Sequence, residues 1–232
     1  MPKQPLIGIA STILIILISL GFISLFSFPL FSGWICYFLL SIIPMQIVMG
    51  VTWGGKHPGF AASKKQPLKG ILMTLFLCAV GVVVGGIYFA VPGGSVNPPA
   101  PMLMMCSIVS VVVMFWLAIM FGGWPFTSFI KSKVGVGAAL MVACYVLNYI
   151  LFRLFFDYGF MQGAPVYAPQ LDPHGLFNAW DALVFYVTFS TVMFVMQSFD
   201  LWPLTKSPAL IKQPVLGIIW SLLAFVIGGG AF

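Results

Sequence analysis

The stretch KKQPLKGILMTLFLCAVGVVVGGIYFAV, Lys64 to Val91, decides the fold. Lys64, Lys65 and Lys69 cluster at its start, and no charged residue follows before Val91. A surface helix of a soluble domain carries a polar face opposite its apolar stripe. This run has no such face, and a bilayer core about 30 Å thick is crossed by roughly 20 apolar residues of this kind. The reading is a transmembrane helix whose basic start lies in water.

The pattern recurs along all 232 residues, and on the same ruler seven spans fall at about 6–27, 33–52, 68–91, 102–122, 134–156, 181–199 and 212–231. Composition agrees: the chain is 61% hydrophobic and 6% charged, with a mean hydropathy of +1.11. A soluble domain carries about 25% charged residues. The first run could also be a secretory signal with Lys3 as its charged end, but no small-x-small cleavage site follows it. The expectation is one transmembrane domain over 1–232, all-α and polytopic.

All nine lysines fall in alternate gaps between these spans. Lys3 precedes the first; Lys56, Lys64, Lys65 and Lys69 lie between the second and third, Lys131 and Lys133 between the fourth and fifth, Lys206 and Lys212 between the sixth and seventh. Cytoplasmic loops retain Lys and Arg, so the N-terminus and these gaps are expected in the cytoplasm and the C-terminus outside. The expected location is a bacterial cytoplasmic (inner) membrane. The formal charge of +6 is thereby a topology signal. No span-free basic domain exists to carry nucleic acid.

Internal repetition is the second feature. Gln66-Pro67-Leu68-Lys69-Gly70-Ile71 recurs as Gln213-Pro214-Val215-Leu216-Gly217-Ile218, and Gly81 and Gly228 keep the same offset from these starts. Trp124-Pro125-Phe126-Thr127 is echoed by Trp202-Pro203-Leu204-Thr205, and a weaker version runs from Trp53 through Pro58 to Gly70. The chain therefore reads as one leading helix plus three tandem helical hairpins in parallel orientation, each with its tight turn in the cytoplasm. Trp suits the interface, Pro stops the outgoing helix, and Pro67 and Pro214 suit the first turn of the incoming one. The motif residues Trp124, Pro125, Trp202, Pro203, Gln66, Pro67, Gln213 and Pro214 are read as structural first, and second as a shared cytoplasmic binding surface.

Seven spans with like-oriented hairpins resemble in architecture the parallel-repeat small transporters, such as the sugar-efflux and PQ-loop proteins. The pairs here read Gln-Pro rather than Pro-Gln, and the hairpins do not form a three-plus-one-plus-three arrangement. The resemblance thus implies architecture and no functional residues.

Polar groups inside spans are functional-site candidates, and here they are few. Arg153 lies about one turn from the outer end of the fifth span, with Asp157 at i+4, a spacing that pairs side chains on a helix face. Asn148, Thr188, Ser190, Thr191 and Gln197 add uncharged polarity, which serves helix-to-helix hydrogen bonding as well as a translocation path. The binding candidates are Arg153, Asp157, Asn148, Thr188 and Thr191. Gly81 and Gly85 mark a packing face, and Cys36, Cys78, Cys106 and Cys144 fall within spans as small apolar residues.

The outer loop at 157–180 carries Asp157, Asp172 and His174, with Asp181 at the mouth of the next span. Two or three carboxylates and a His can hold a divalent cation. Their spacing matches no metal signature, so the loop is read as a lid or docking element, with no metal and no cofactor. With two His, no Glu and no GxSxG or phosphate-binding Gly loop, the chain reads more as a non-enzyme. Two functions follow: a permease or channel-like protein for a small, uncharged or apolar solute, or a non-catalytic subunit anchoring a larger membrane complex. The expected partners are the lipid bilayer and either further copies of the chain or other membrane subunits.

Overall fold

The computed structural model describes residues 5–230, so Lys3 and the end of the last expected span lie outside the described residues. Among the described residues six helices are long and apolar enough to cross a membrane: α1 (Leu6–Ser24), α2 (Phe28–Thr52), α3 (Leu68–Ala90), α4 (Pro101–Met120), α5 (Lys133–Phe155) and α6 (Ala179–Ser198). The protein is an all-α integral membrane protein. Its next helix, α7 (Val215–Gly229), has 15 residues. At 1.5 Å per residue it covers about 22 Å, less than the roughly 30 Å of a hydrocarbon core. The expected run from 212 is shortened because Lys212 and Gln213 stay in the preceding turn, with Pro214 at the N-cap of α7.

At its other end the first expected gap shrinks. Only Leu25, Phe26 and Ser27 separate α1 from α2, which starts at Phe28 rather than at 33 because Pro29 occupies its first turn, where no helical N–H is lost. No residue of α1 is buried. The other helices pack around α4, which touches α2, α5, α6 and α7, while α3 lies against α2, α5 against the end of α2, and α7 against α6.

Small residues set the closest approaches. A Cβ on Gly81 would lie 2.7 Å from Ile42 Cγ1, and one on Gly85 would lie 3.2 Å from Ser41 Oγ. Both glycines therefore face α2 within the chain. In lipid, where apolar side chains gain little by leaving the solvent, such close backbone packing is a main source of helix association.

One end of the bundle carries the lysine-rich turns and is called here the turn end. At that end α2, α4 and α6 each exit through two successive left-handed residues: Gly54 (φ 56°) and Gly55 (φ 68°), Gly122 (φ 56°) and Gly123 (φ 78°), Asp200 (φ 51°) and Leu201 (φ 58°). The first two exits follow a π-helical last turn, Val48–Thr52 and Trp116–Met120. Their closing bonds match: Trp53 N donates to Val48 O at 2.9 Å and Gly55 N to Met49 O at 2.9 Å, as Phe121 N does to Trp116 O at 3.1 Å and Gly123 N to Leu117 O at 2.9 Å.

The residue just before each of these glycine pairs is aromatic and packs on a glycine of a later helix. Trp53 lies against Gly137 of α5, where an added Cβ would come within 2.7 Å of its Cε2, and its Nε1 donates to Lys133 O at 2.7 Å. Phe121 lies against Gly217 of α7, where a Cβ would come within 2.6 Å of its Cδ1.

The opposite end carries the 157–180 segment and is called the loop end. Here β1 (Phe156–Asp157) pairs in parallel with β2 (Phe177–Asn178). Gly175 N donates to Phe156 O at 2.7 Å, and a Cβ on Gly175 would sit 2.5 Å from Phe156 N. Only glycine fits, and the loop is thereby tied to the end of α5.

Candidate functional site

A cavity of about 590 Å³ opens between α4, α5, α6 and α7 beneath β2. Its wall follows from residue size along α6: Ala182 leaves room, and Phe185 and Phe189, one turn apart, face the space. Phe225 of α7 closes the far side, its ring centroid 5.4 Å from that of Phe185 and 4.8 Å from that of Phe189. Trp116 of α4 spends its indole N–H on Ser221 Oγ at 2.7 Å and so offers the cavity an apolar ring.

Asp181 is the one charged residue in the lining, at the loop-end rim. Asn178 caps α6, its Oδ1 accepting from Trp180 N at 2.9 Å, which places Asp181 in the first turn, where the helix dipole favours a carboxylate. Between Asp181 and Phe189 the cavity runs about 12 Å along the helix axis. Such a lining offers shape and apolar contact. Its lining holds no nucleophile paired with a base.

The sequence-derived candidates lie elsewhere. Asn148 is fully buried on α5, its Nδ2 donating to Cys106 O at 2.9 Å and to Tyr88 OH at 3.0 Å. It belongs to a hydrogen-bonded set that joins four helices: Tyr37 OH donates to Gly85 O at 2.6 Å, Tyr88 OH to Tyr145 O at 2.8 Å, and Tyr145 OH to Ser41 O at 3.4 Å. Asn148 Oδ1 is left without a partner among the described residues. Thr191 is exposed and donates back to Val187 O at 2.9 Å, while Thr188 is half-buried beside Gly228.

Arg153 is exposed, and among the described residues it forms no ion pair. The i+4 relation to Asp157 needs a helix through both residues, but α5 ends at Phe155 and Phe156 is extended (φ −101°, ψ 127°). Asp157 turns instead toward His174, with 3.5 Å between Oδ1 and Nδ1. None of Arg153, Asp157, Asn148, Thr188 and Thr191 lines the cavity.

In the loop, the buried Asp172 carboxylate is the organiser. It accepts from Tyr158 N at 3.1 Å, His174 N at 3.0 Å and Tyr167 OH at 2.8 Å. His174 Nδ1 also lies 3.5 Å from its Oδ2, so Asp157, Asp172 and His174 bring one ligand-type atom each within 4.8 Å of one another. The hydrogen bond to Asp172 holds the Tyr167 phenol above its ordinary pKa, and burial does the same for Tyr158.

The Gln-Pro and Trp-Pro motifs act on helix starts and turns. Gln66 Oε1 accepts from Gly70 N at 3.1 Å and Gln213 Oε1 from Gly217 N at 3.1 Å, the same cap at the same spacing. Gln213 Nε2 also donates to Met120 O at 2.8 Å. Pro67 and Pro214 are the N-cap residues of α3 and α7. Trp124 stacks on Phe121, Pro125 precedes the single helical turn Phe126–Phe129, and Lys206 lies 5.3 Å over the Trp202 ring after Pro203.

Sequence reasoning missed the cavity residues because a Phe in an apolar span carries no signal of what it faces. The spacing of Ala182, Phe185 and Phe189 on one helix face was the only trace. No family model, curated protein or solved structure matches the chain.

Proposed function

We propose that the protein is a seven-crossing permease or channel-like protein for a small, uncharged or apolar solute, held in the cavity between α4 and α7. The observation that carries this reading is the cavity itself: about 590 Å³, walled by aromatic and aliphatic side chains, with one carboxylate at its rim. That volume lies within the roughly 300–1,000 Å³ of small-molecule sites. The hydrogen-bonded set around Asn148 uses its donors to join helices and leaves a single unpartnered acceptor, Asn148 Oδ1, too few groups to replace the hydration of an ion.

The proposed architecture is one leading helix and three like-oriented hairpins, with the lysine-rich turns in the cytoplasm of a bacterial inner membrane. Its support is the Trp-Pro motif that follows both α4 and α6 and the matching Gln caps before α3 and α7. The seventh crossing is the short α7.

The test uses a small apolar aryl diazirine, photolysed with the protein in lipid nanodiscs and mapped by mass spectrometry. Labelling should concentrate on Trp116, Phe185, Phe189 and Phe225, and Ala182→Phe should remove it from those positions. Asp181→Asn should leave it in place, since the probe carries no charge. Labelling spread evenly over lipid-facing residues such as those of α1 would overturn the reading.

A second reading, a membrane-anchoring subunit of a larger complex, has one observation in its favour. α1 is an apolar helix with no buried residue, a surface free for another chain. Co-purification of stable foreign subunits from native membranes would favour it.

A further inference from the structure

The same joint is made twice inside the chain. Trp53, leaving α2, seats on Gly137 near the start of α5; Phe121, leaving α4, seats on Gly217 near the start of α7. Gly217 is the third residue after the N-cap Pro214 and the fourth after Gln213, whereas Gly137 is the fifth after the N-cap Ser132, so the seat lies in the first or second turn of each helix without a fixed register. By the offset of Gln213 and Gly217 the matching glycine of the first hairpin is Gly70, four residues after Gln66, and the aromatic residue that matches Phe121 in the third exit is Phe199, just before Asp200 and Leu201.

These last two halves are unmated among the described residues. Phe199 is 65% exposed, whereas Trp53 is 5% exposed. A Cβ on Gly70 would meet only the side chain of its own Gln66, at 3.2 Å. An aromatic knob at the end of α6 and a bare glycine seat on α3, two helices that do not pack on each other, are thus both left open. Both lie at the turn end of the bundle, so a second copy with the same orientation in the membrane brings its seat to the depth of the knob.

We infer that copies of this chain associate head to tail, with Phe199 of one copy seated on the Gly70 face of α3 in the next. The inference rests on the reading of three like hairpins. Such a contact joins two different surfaces and therefore propagates, into a closed ring or an open row, rather than stopping at a two-fold dimer. Small residues at the seat allow the close approach on which helix association in lipid depends.

The experiment is disulfide cross-linking in native membranes, in a chain with Cys36 and Cys78 replaced by Ser and the buried Cys106 and Cys144 retained. Phe199→Cys and Gly70→Cys chains, co-expressed, should give a dimer band on oxidation, while each alone gives none. A chain carrying both substitutions should give a ladder. Phe199→Ala, a change at an exposed position, should lower self-association in nanodiscs about tenfold, roughly 1.4 kcal/mol. Absence of the mixed band, or a band from Phe199→Cys alone, overturns the head-to-tail contact. In the same membranes, Ser63→Cys and Ser207→Cys are labelled with an impermeant maleimide. Labels on opposite faces would overturn the hairpin reading itself, and labels on one face without the mixed band overturn the docking alone.

Discussion

Gln213 donates from Nε2 to the carbonyl of Met120 at 2.8 Å, joining the start of α7 to the last turn of α4. Its Oε1 meanwhile caps Gly217 N, so one side-chain amide satisfies backbone groups at two helix ends that would otherwise be left over. Gln66 has the same cap on Gly70 but sits exposed and bonds to no second helix among the described residues.

The two glutamines should therefore differ on truncation. A net hydrogen bond is worth about 0.5–1.5 kcal/mol, so Gln213→Ala should cost about 2 kcal/mol and Gln66→Ala less than about 1 kcal/mol. Denaturant unfolding in detergent micelles measures both. Equal costs would mean that the bridge to Met120 contributes nothing.

Gly137→Ala should destabilise the bundle by about 2–4 kcal/mol, because the new methyl meets the Trp53 indole and Val48 at under 3 Å. At Gly86 nothing lies within 4 Å, and Gly86→Ala should be neutral or stabilising by up to about 1 kcal/mol through helix propensity. Thermal unfolding of the pair separates close packing from propensity. A neutral Gly137→Ala would remove the packing argument.

Asn148 Nδ2 donates to Tyr88 OH, Cys106 O and, at 3.4 Å, Cys106 Sγ inside the bundle. Interhelical hydrogen bonds in membrane proteins average about 0.6 kcal/mol, so Asn148→Leu should cost about 1 kcal/mol and leave the fold intact. Circular dichroism and unfolding together check this. Loss of folded protein would assign the polar set a larger role than stitching.

The Tyr167 phenol is raised above its usual value of 10.0, chiefly by its hydrogen bond to Asp172. The neutral phenol is thus favoured in the folded loop. Its stabilising contribution is fully present below the unfolded pKa and is lost as pH rises through the higher folded value. Proteolysis within 157–180 should accelerate only above about pH 10, and Tyr167→Phe should weaken that acceleration, with the buried Tyr158 keeping its own share. A protease sensitivity independent of pH in this range would count against the bond.

Ser95 at the loop end and Ser207 at the turn end test the proposed orientation. In intact cells an impermeant maleimide should label Ser95→Cys and fail to label Ser207→Cys. The reverse result would invert the topology.

The apolar runs by themselves determined the class of the protein, because a helix such as Leu68–Ala90 without charge beyond its first turn is stable only where its whole circumference meets lipid or protein. The Gln-Pro pairs stood out in the sequence as recurring motifs, whereas the caps that Gln66 and Gln213 make on Gly70 and Gly217 came only with the structure. Arg153 and Asp157 mark where local reasoning stops: their spacing predicts a pair only while the helix continues, and the pairing of Phe156 with Phe177 ends it first. The cavity was decided only in the tertiary structure. Hydropathy gives every face of a membrane helix nearly the same score, so which Phe of α6 meets Phe225 and which faces lipid depends on side-chain packing between α4, α6 and α7.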